Sequence, residues 1–364
     1  MANAEIKNLS QRREPAVLLR PVTDPAAWTG PDLDADRSWI HPLDDRDIAE
    51  LDAVVADLES RVETVLDIRP GDFDLPTLGP KLDAIGDDII NGRGLALIRG
   101  VPVERYSRQQ AAIAFWCIGL HVGAPVSQNS KGHLLGHVAD LGNTSFANPK
   151  NRGYQTHEQL PFHCDSCDIV GLLCLHPSKS GGESTVTSSL NIYNEMLKRR
   201  PELVAALAEP VYRDRRNEIP KGKEPWFQLP VFNFSEGYLT VSWQGGYIRS
   251  AERFGELPPQ SQDLKDALDL FATLARELSY GMDFQQGDIQ FLHNHVTVHS
   301  RTEFEDFPEL ERRRNLLRLW LATPDGRPLS PAYENRYGHL KPGDRPAGGI
   351  IVSGTEFKAP LYPE

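Results

Sequence analysis

Apolar positions recur at helical spacing through Ile48, Leu51, Val54, Val55, Leu58, Val62 and Val65, which predicts an amphipathic helix closed by Pro70 and Gly71. Residues 80–91 predict a second helix ending at Asn91-Gly92. Gly94–Arg99 (GLALIR) is short and continuously apolar, the pattern of a buried strand, and Gly100 and Pro102 stop it. Ser107 and Gln110 form a capping box, S-x-x-Q, ahead of a third helix over Ala111–Leu120. From Gly123 to Thr187 the pattern turns to short β-like runs broken by Gly, Asn and Pro. Helical spacing returns over Asn191–Ala208, with a break at Pro201, and over Asp263–Leu278, where Leu264, Ala267, Leu268, Phe271, Leu274 and Leu278 share a face. Between those helices residues 228–250 alternate (VFNF, YLTVSW, GGYI). Asp288–His293 and Arg314–Ala322 are the strongest strand signals.

Many short strands, with helices grouped at the start and inserted later, predict a mainly β fold with flanking helices, closed or sandwiched as in a jelly roll. Residues 1–45 read as an irregular arm anchored by Trp28 and Trp39, and the last forty residues, rich in Pro and Gly, as a surface wrap. No repeat or low-complexity linker marks a boundary. The expectation is one domain over 1–364: an N-terminal arm and helices over 1–90, a core over about 94–322, and a C-terminal wrap over 323–364.

Composition narrows the partners more than the fold. The 39 basic and 51 acidic residues leave a net charge of −12. That acidic field argues against nucleic acid and anionic membrane as partners, though not against a small anion in a local basic pocket. No apolar run approaches the roughly 20 residues of a membrane helix, and the first residues lack the apolar stretch of a signal peptide. Four cysteines, Cys117, Cys164, Cys167 and Cys174, are too few for a disulfide scaffold. A cytoplasmic globular protein acting on a small molecule is expected. The 29 glycines and 28 prolines exceed the usual shares of about 7% and 5% and fit a turn-rich β fold.

Candidate chemistry lies in two clusters. In the first, His163 and Asp165 stand two apart, so on a strand both project from one face and can meet one metal ion. The second spans residues 287–322 and carries His293, His295 and His299. Two histidines and one carboxylate with open positions make the facial triad of non-haem Fe(II) oxygenases, and His163, Asp165 and His299 supply such a set. A structural zinc site on Cys164, Cys167 and Cys174 with His163 or His176 competes, but no second pair at zinc spacing completes it. The lone histidines His133, His137 and His157 have an ordinary structural alternative, and His293 and His295 lie close enough in sequence to compete with His299.

Four pieces, FHCD at Phe162–Asp165, GGES at Gly181–Ser184, VHSRTEF at Val298–Phe304 and RNLLRLWL at Arg314–Leu321, stand in the order of a known family. From about Gly94 to about Ala322 the sequence resembles the taurine dioxygenase family of Fe(II)/2-oxoglutarate oxygenases, in the double-stranded β-helix superfamily. The resemblance selects His299 over His293 and His295. It implies that His163, Asp165 and His299 bind Fe(II), and that Arg314 pairs with the distal carboxylate of 2-oxoglutarate. Ser184 would add a hydrogen bond there, with Thr185 the candidate if the register is off by one. Arg312 and Arg313 leave the register of the arginine open as well. Arg318 falls where a taurine-oxidising member holds its substrate's sulfonate. A planar guanidinium suits bidentate carboxylate binding, which supports the arginine assignments on physical grounds.

Gln128 and Asn129, in a Gly-bounded loop, are substrate-contact candidates with turn chemistry as the alternative, and Trp243 and Tyr247 are candidate pocket walls. The implied activity is Fe(II)-, 2-oxoglutarate- and O2-dependent oxidation, chiefly hydroxylation, of a small anionic metabolite, with release of succinate and CO2. Asp165 is retained where halogenating relatives lack the carboxylate. Desaturation and cyclisation begin with the same hydrogen abstraction and stay open. The alternatives are an iron oxygenase that does not use 2-oxoglutarate and a catalytically silent β-helix binding protein. Relatives commonly self-associate, so a homo-oligomer is also open.

Overall fold

The computed structural model describes residues 12–142, 153–337, 349, 350, 352 and 354–364. Its two principal sheets are built, in chain order, from β1 (Ile40–Pro42), β2 (Leu95–Arg99), β3 (Ala124–Pro125), β4 (Leu135–Val138), β5 (Leu160–His163), β6 (Ile169–His176), β7 (Ser184–Ser188), β8 (Tyr280–Met282), β9 (Ile289–His293), β10 (Thr297–Arg301) and β11 (Asn315–Ala322). The larger, seven-stranded sheet has the order β1-β2-β9-β6-β11-β3, with β4 also on β11, and the four-stranded sheet has the order β8-β7-β10-β5. Pairing is antiparallel except between β1 and β2.

The period of two along β11 explains the layering. Leu317, Leu319 and Leu321 point to one face and join a cluster with Leu51, Leu58, Leu82, Ile89, Phe115 and Ile118. Those residues come from three helices, α1 (Asp45–Glu59), α2 (Leu78–Asn91) and α3 (Arg108–Val122), which cover the outside of the large sheet. Leu316 and Trp320 point the other way and pack with Val186 and Met282 of the small sheet. The outside of the small sheet is covered by α4 (Ser189–Arg199), α5 (Pro201–Ala208) and α6 (Gln262–Glu277), whose Leu190, Met196, Leu203, Phe271 and Leu274 pack with Val296 and Val298. Each such buried side chain contributes about 1.5–3 kcal/mol of transfer free energy. Arg318 sits between Leu316 and Trp320 in the inward row, and a charged residue placed there points to a site.

Several elements follow local chemistry that periodicity missed. The first helix starts at Asp45 because Asp44 accepts from the amides of Arg46 and Asp47; Val65 falls instead in a separate turn over Val65–Asp67 capped by Thr64. The capping box at Ser107 and Gln110 forms as expected and opens a helix three residues longer at its start than Ala111. Proline cannot continue a helix, so Asn191–Ala208 divides at Pro201 into α4 and α5. In the alternating stretch, Phe232–Ser235 and Tyr238–Val241 pair as a hairpin, but Gly245–Ser250 is helical, with Tyr247 and Ile248 amides donating to the Gln244 carbonyl. Four alternating residues do not distinguish strand from a single helical turn.

The N-terminal arm is less irregular than its composition suggests. Trp28 and Trp39 are buried, and Ile40–Pro42 adds the parallel edge strand to Leu95–Arg99. The C-terminal stretch does more than wrap: Leu329 and Tyr333 form a small core with Phe227 and Leu229. Further on, Leu134 donates to the Lys358 carbonyl and Ile350 to that of Ser127. Among the described residues no helix is long and apolar enough to cross a membrane.

Candidate active site

Antiparallel pairing of β10 with β5 sets His299 directly opposite His163. Their rings lie 4.4 Å apart between centroids, tilted by 47°. Asp165 follows β5, and its backbone amide donates to Asn294 Oδ1 at 2.9 Å, which anchors the turn that carries it. The Nε2 atoms of His163 and His299 each stand 3.9 Å from an oxygen of Asp165. One donor atom from each of the three residues falls within 4.8 Å of the others, and among the described residues no other group of His, Cys, Asp or Glu does so.

The surroundings of the three residues suit them as donors to a cation. His163 Nδ1 lies 2.9 Å from the Pro161 carbonyl, which fixes the N–H there and leaves Nε2 as the donor toward the centre. Burial, aided by His163, pushes His299 down to about 3, so its imidazole is neutral. Burial by itself would raise Asp165, but its neighbours, the Arg318 guanidinium first among them, outweigh it and hold the carboxyl below its ordinary range. Asp165 Oδ2 and His299 Nδ1 are buried without hydrogen-bond partners. A carboxylate oxygen left this way, beside two imidazoles, fits a divalent transition metal with open coordination positions.

The three residues line a cavity of about 170 Å³. Arg314, Ser184, Arg318, Gln128 and Tyr247 also line it, as do Arg301, Arg336 and Tyr154. Arg314 immediately precedes β11, with its amide donating to Asp306 Oδ1 at 2.8 Å. Arg312 and Arg313, by contrast, are exposed and do not reach the cavity. Burial lowers the Arg314 pKa to about 10, and its Nη1 is buried without a partner. Ser184 points into the cavity from β7, whereas Thr185, its neighbour on the strand, does not line it. Successive strand residues face opposite sides, so one hydroxyl can serve and the other cannot.

Arg318 lies between the Tyr154 ring, 4.3 Å from its centroid, and the Trp320 ring at 5.2 Å. Its Nη1 stands 3.9 Å from Asp165 Oδ1, and its Nε donates to Gln128 Oε1 at 2.7 Å. The Gln128 amide, on the cavity wall, is thereby engaged with Arg318 and also donates to the Leu134 carbonyl at 3.0 Å. Asn129 is off the main cavity: its Oδ1 accepts from the amides of Lys131 and His133, ordinary turn chemistry. Trp243 stacks on Phe271 at 3.9 Å in the core and lines no part of the cavity.

The cysteines beside the site and several of the remaining histidines are engaged by protein groups rather than gathered around a second metal. Cys164 Sγ lies 3.5 Å from the Thr297 carbonyl, and Cys167 Sγ accepts from Asn294 Nδ2 at 3.2 Å. His295 pairs with Asp168 at 2.9 Å, His133 with Glu364 at 2.9 Å and His157 with Asp140 at 3.1 Å. Arg301, Arg336 and Asn294 were not singled out from sequence. Arg301 carried a signal, since it follows His299 by two in the strand, while Arg336 arrives from the Pro- and Gly-rich tail with none.

Comparison with known proteins matches this architecture. The model of the taurine catabolism dioxygenase TauD, TfdA family matches residues 55–320. FR-33289 synthase of Streptomyces rubellomurinus is 30% identical over 339 residues, covering 91% of this chain and 98% of that protein. The taurine hydroxylase-like protein SAT17 of Stachybotrys chartarum is 32% identical over 311 residues, 82% of this chain and 79% of that one. Among solved structures, asparagine oxygenase with Fe(II), 3-hydroxyasparagine and succinate superposes with a TM-score of 0.62 at 18% identity, covering 78% of this chain and 93% of its own. The non-haem iron oxygenase OrfP with Fe, succinate and (3S)-hydroxy-L-arginine gives 0.58 at 16% identity, over 78% and 94%. The fold is the jelly-roll, or double-stranded β-helix, with flanking helices that the sequence predicted.

Proposed function

This chain belongs to the taurine catabolism dioxygenase TauD, TfdA family and is an Fe(II)- and 2-oxoglutarate-dependent dioxygenase; we propose that His163, Asp165 and His299 hold its iron, that Arg314 and Ser184 seat the distal carboxylate of 2-oxoglutarate, and that its substrate is a small anion. The convergence of two imidazoles and one carboxylate within 4.8 Å carries the reading. When bound, iron and 2-oxoglutarate would supply the chemistry by which O2 oxidises the substrate, one oxygen atom converting a C–H to C–OH and the other entering 2-oxoglutarate, which leaves as succinate and CO2.

The chain's own residues bind, orient and exclude. Asn294 holds the Asp165 turn and the Pro161 carbonyl holds the His163 ring, so the donor set is arranged before metal enters. Arg314 offers a buried guanidinium hydrogen to a carboxylate, and Ser184 lies on the same cavity wall. Arg318 and Arg336 supply positive charge where the substrate enters, with Arg336 Nη2 donating to Ser166 Oγ at 2.8 Å. Leu160, Leu172, Leu316 and Trp320 form apolar walls that keep water from the reacting carbon. The strands that carry these groups, β5, β6, β7, β10 and β11, belong to two sheets built from β1 to β11, which supports one working domain over the chain. Four free, buried cysteines fit a reducing compartment such as the cytoplasm.

The test is anaerobic loading with Fe(II), then exposure to air with 2-oxoglutarate and a panel of small carboxylates, sulfonates and amino acids. Succinate release stimulated by one anionic member, and lost in His163→Ala, is expected. Equal succinate release from His163→Ala and the parent protein would overturn the site. Stimulation confined to neutral or cationic compounds would overturn the substrate class.

A further inference from the structure

We propose that Arg301 is a second guanidinium for the distal carboxylate of 2-oxoglutarate, so that the cosubstrate is gripped by an arginine pair, Arg301 and Arg314. The inference rests on the cosubstrate site proposed above. Arg301 follows His299 by two on β10 and pairs across the ladder with Ser184, so a metal donor and the cosubstrate wall share its strand face. The Arg301 side chain donates from Nη2 to the Glu158 carbonyl, while Nε and Nη1 are buried without partners. Arg314 Nη1 is in the same state. The two residues are only 4% and 3% exposed.

Both guanidinium groups lie against one ring, that of Phe304, at 4.7 Å and 5.2 Å from its centroid. Among the described residues neither forms an ion pair with a carboxylate. Asp306 accepts only the Arg314 backbone amide, and Asp140 is held by His157. Two buried like charges with no ion pair among the described residues are costly, and one carboxylate between them relieves both the repulsion and the missing hydrogen bonds. Arg318 does not compete for that role, since its head is committed to Gln128, Tyr154 and the Asp165 side of the cavity. The anion that fits between Arg301 and Arg314 therefore belongs to the same ligand that Arg314 and Ser184 hold.

The experiment is calorimetric titration of the Fe(II)-loaded protein, without oxygen, with 2-oxoglutarate and with 2-oxobutyrate, which keeps the oxo-acid head and lacks the distal carboxylate. Arg301→Gln is expected to weaken 2-oxoglutarate about 10- to 100-fold and 2-oxobutyrate less than about twofold, with Arg301→Lys between. In turnover, KM for 2-oxoglutarate should move more than kcat. Equal losses for both ligands would mean a merely structural role, and an unchanged 2-oxoglutarate affinity would also overturn the pair, as would a loss confined to substrate binding. Arg314→Gln is the control. If it too leaves 2-oxoglutarate binding intact, the cosubstrate site itself is wrong; if it alone weakens binding, only the role of Arg301 falls.

Discussion

Gln128 and Arg318 hold each other through both ends of one amide: Arg318 Nε donates to Gln128 Oε1 at 2.7 Å, and Gln128 Nε2 donates to the Arg318 carbonyl at 2.7 Å. A residue just beyond β3 thus fixes the head group and the backbone of the central strand residue facing the metal. Gln128→Ala should cost about 1.5–3 kcal/mol of stability, measured by denaturant unfolding, because it leaves a buried guanidinium donor unsatisfied. It should also raise KM for the anionic substrate more than KM for 2-oxoglutarate. Equal rises would show that Arg318 does not serve the substrate alone.

Gly136 guards the same pair from behind. A Cβ at this position would overlap the Gln128 amide oxygen and lie 3.1 Å from its Cδ. Gly136→Ala should therefore reproduce the kinetic signature of Gln128→Ala, with a substrate KM raised more than that for 2-oxoglutarate. Steady-state kinetics on the two variants and on their combination check this; effects that simply add would argue for separate causes.

Asn294 holds the turn that carries Asp165, a proposed iron ligand. Its Oδ1 accepts the Asp165 amide at 2.9 Å and its Nδ2 donates to Cys167 Sγ at 3.2 Å. Asn294→Ala should weaken Fe(II) binding about 10- to 100-fold without removing any ligand. Anaerobic metal titration reads the constant, and an unchanged value would show that β5 alone places the carboxylate.

The buried His137 gives the fold a pH limit. Burial lowers its pKa below 6.5, against the raising effect of the Pro360 carbonyl 2.8 Å from its Nε2. The unfolded chain takes up this proton near pH 6.5 and the folded chain only at lower pH. The associated stability is present above pH 6.5 and is lost as pH falls toward the folded-state value, at no more than about 1.4 kcal/mol per unit. His137→Gln should flatten stability between about pH 6.5 and 5 in unfolding curves recorded across that window. Burial lowers His133 and His176 in the same direction, so part of the slope will persist.

What could be read from the sequence was what depends on local order. The H-x-D spacing and the helical and strand periods each reflect which face a residue takes within one element, and these led to the pair His163 and Asp165 and to the β architecture, whereas the choice of His299 and Arg314 came from the family resemblance. Relations across the fold left no such trace. Gln128 meets Arg318 over 190 positions, so its amide read equally well as a substrate contact. Arg301 stood in a recognised block, yet its two unsatisfied nitrogens are a property of packing. Arg336 comes from a segment whose composition suggested only surface.

The register that faces His163 with His299 joins positions 136 residues apart on one rung of a ladder. Everything between β7 and β8, including the hairpin over 232–241 and α4 to α6, hangs from that frame as an excursion. Gln244 and Tyr247, on the cavity wall, belong to the excursion, whereas the metal donors do not. Part of the cavity wall is therefore carried on a stretch of chain separate from the three converging residues, while Arg318 stays on the frame. Such a protein can vary that part of its wall while the ladder beneath it stays in place, much as a tool changes its jig and keeps its blade.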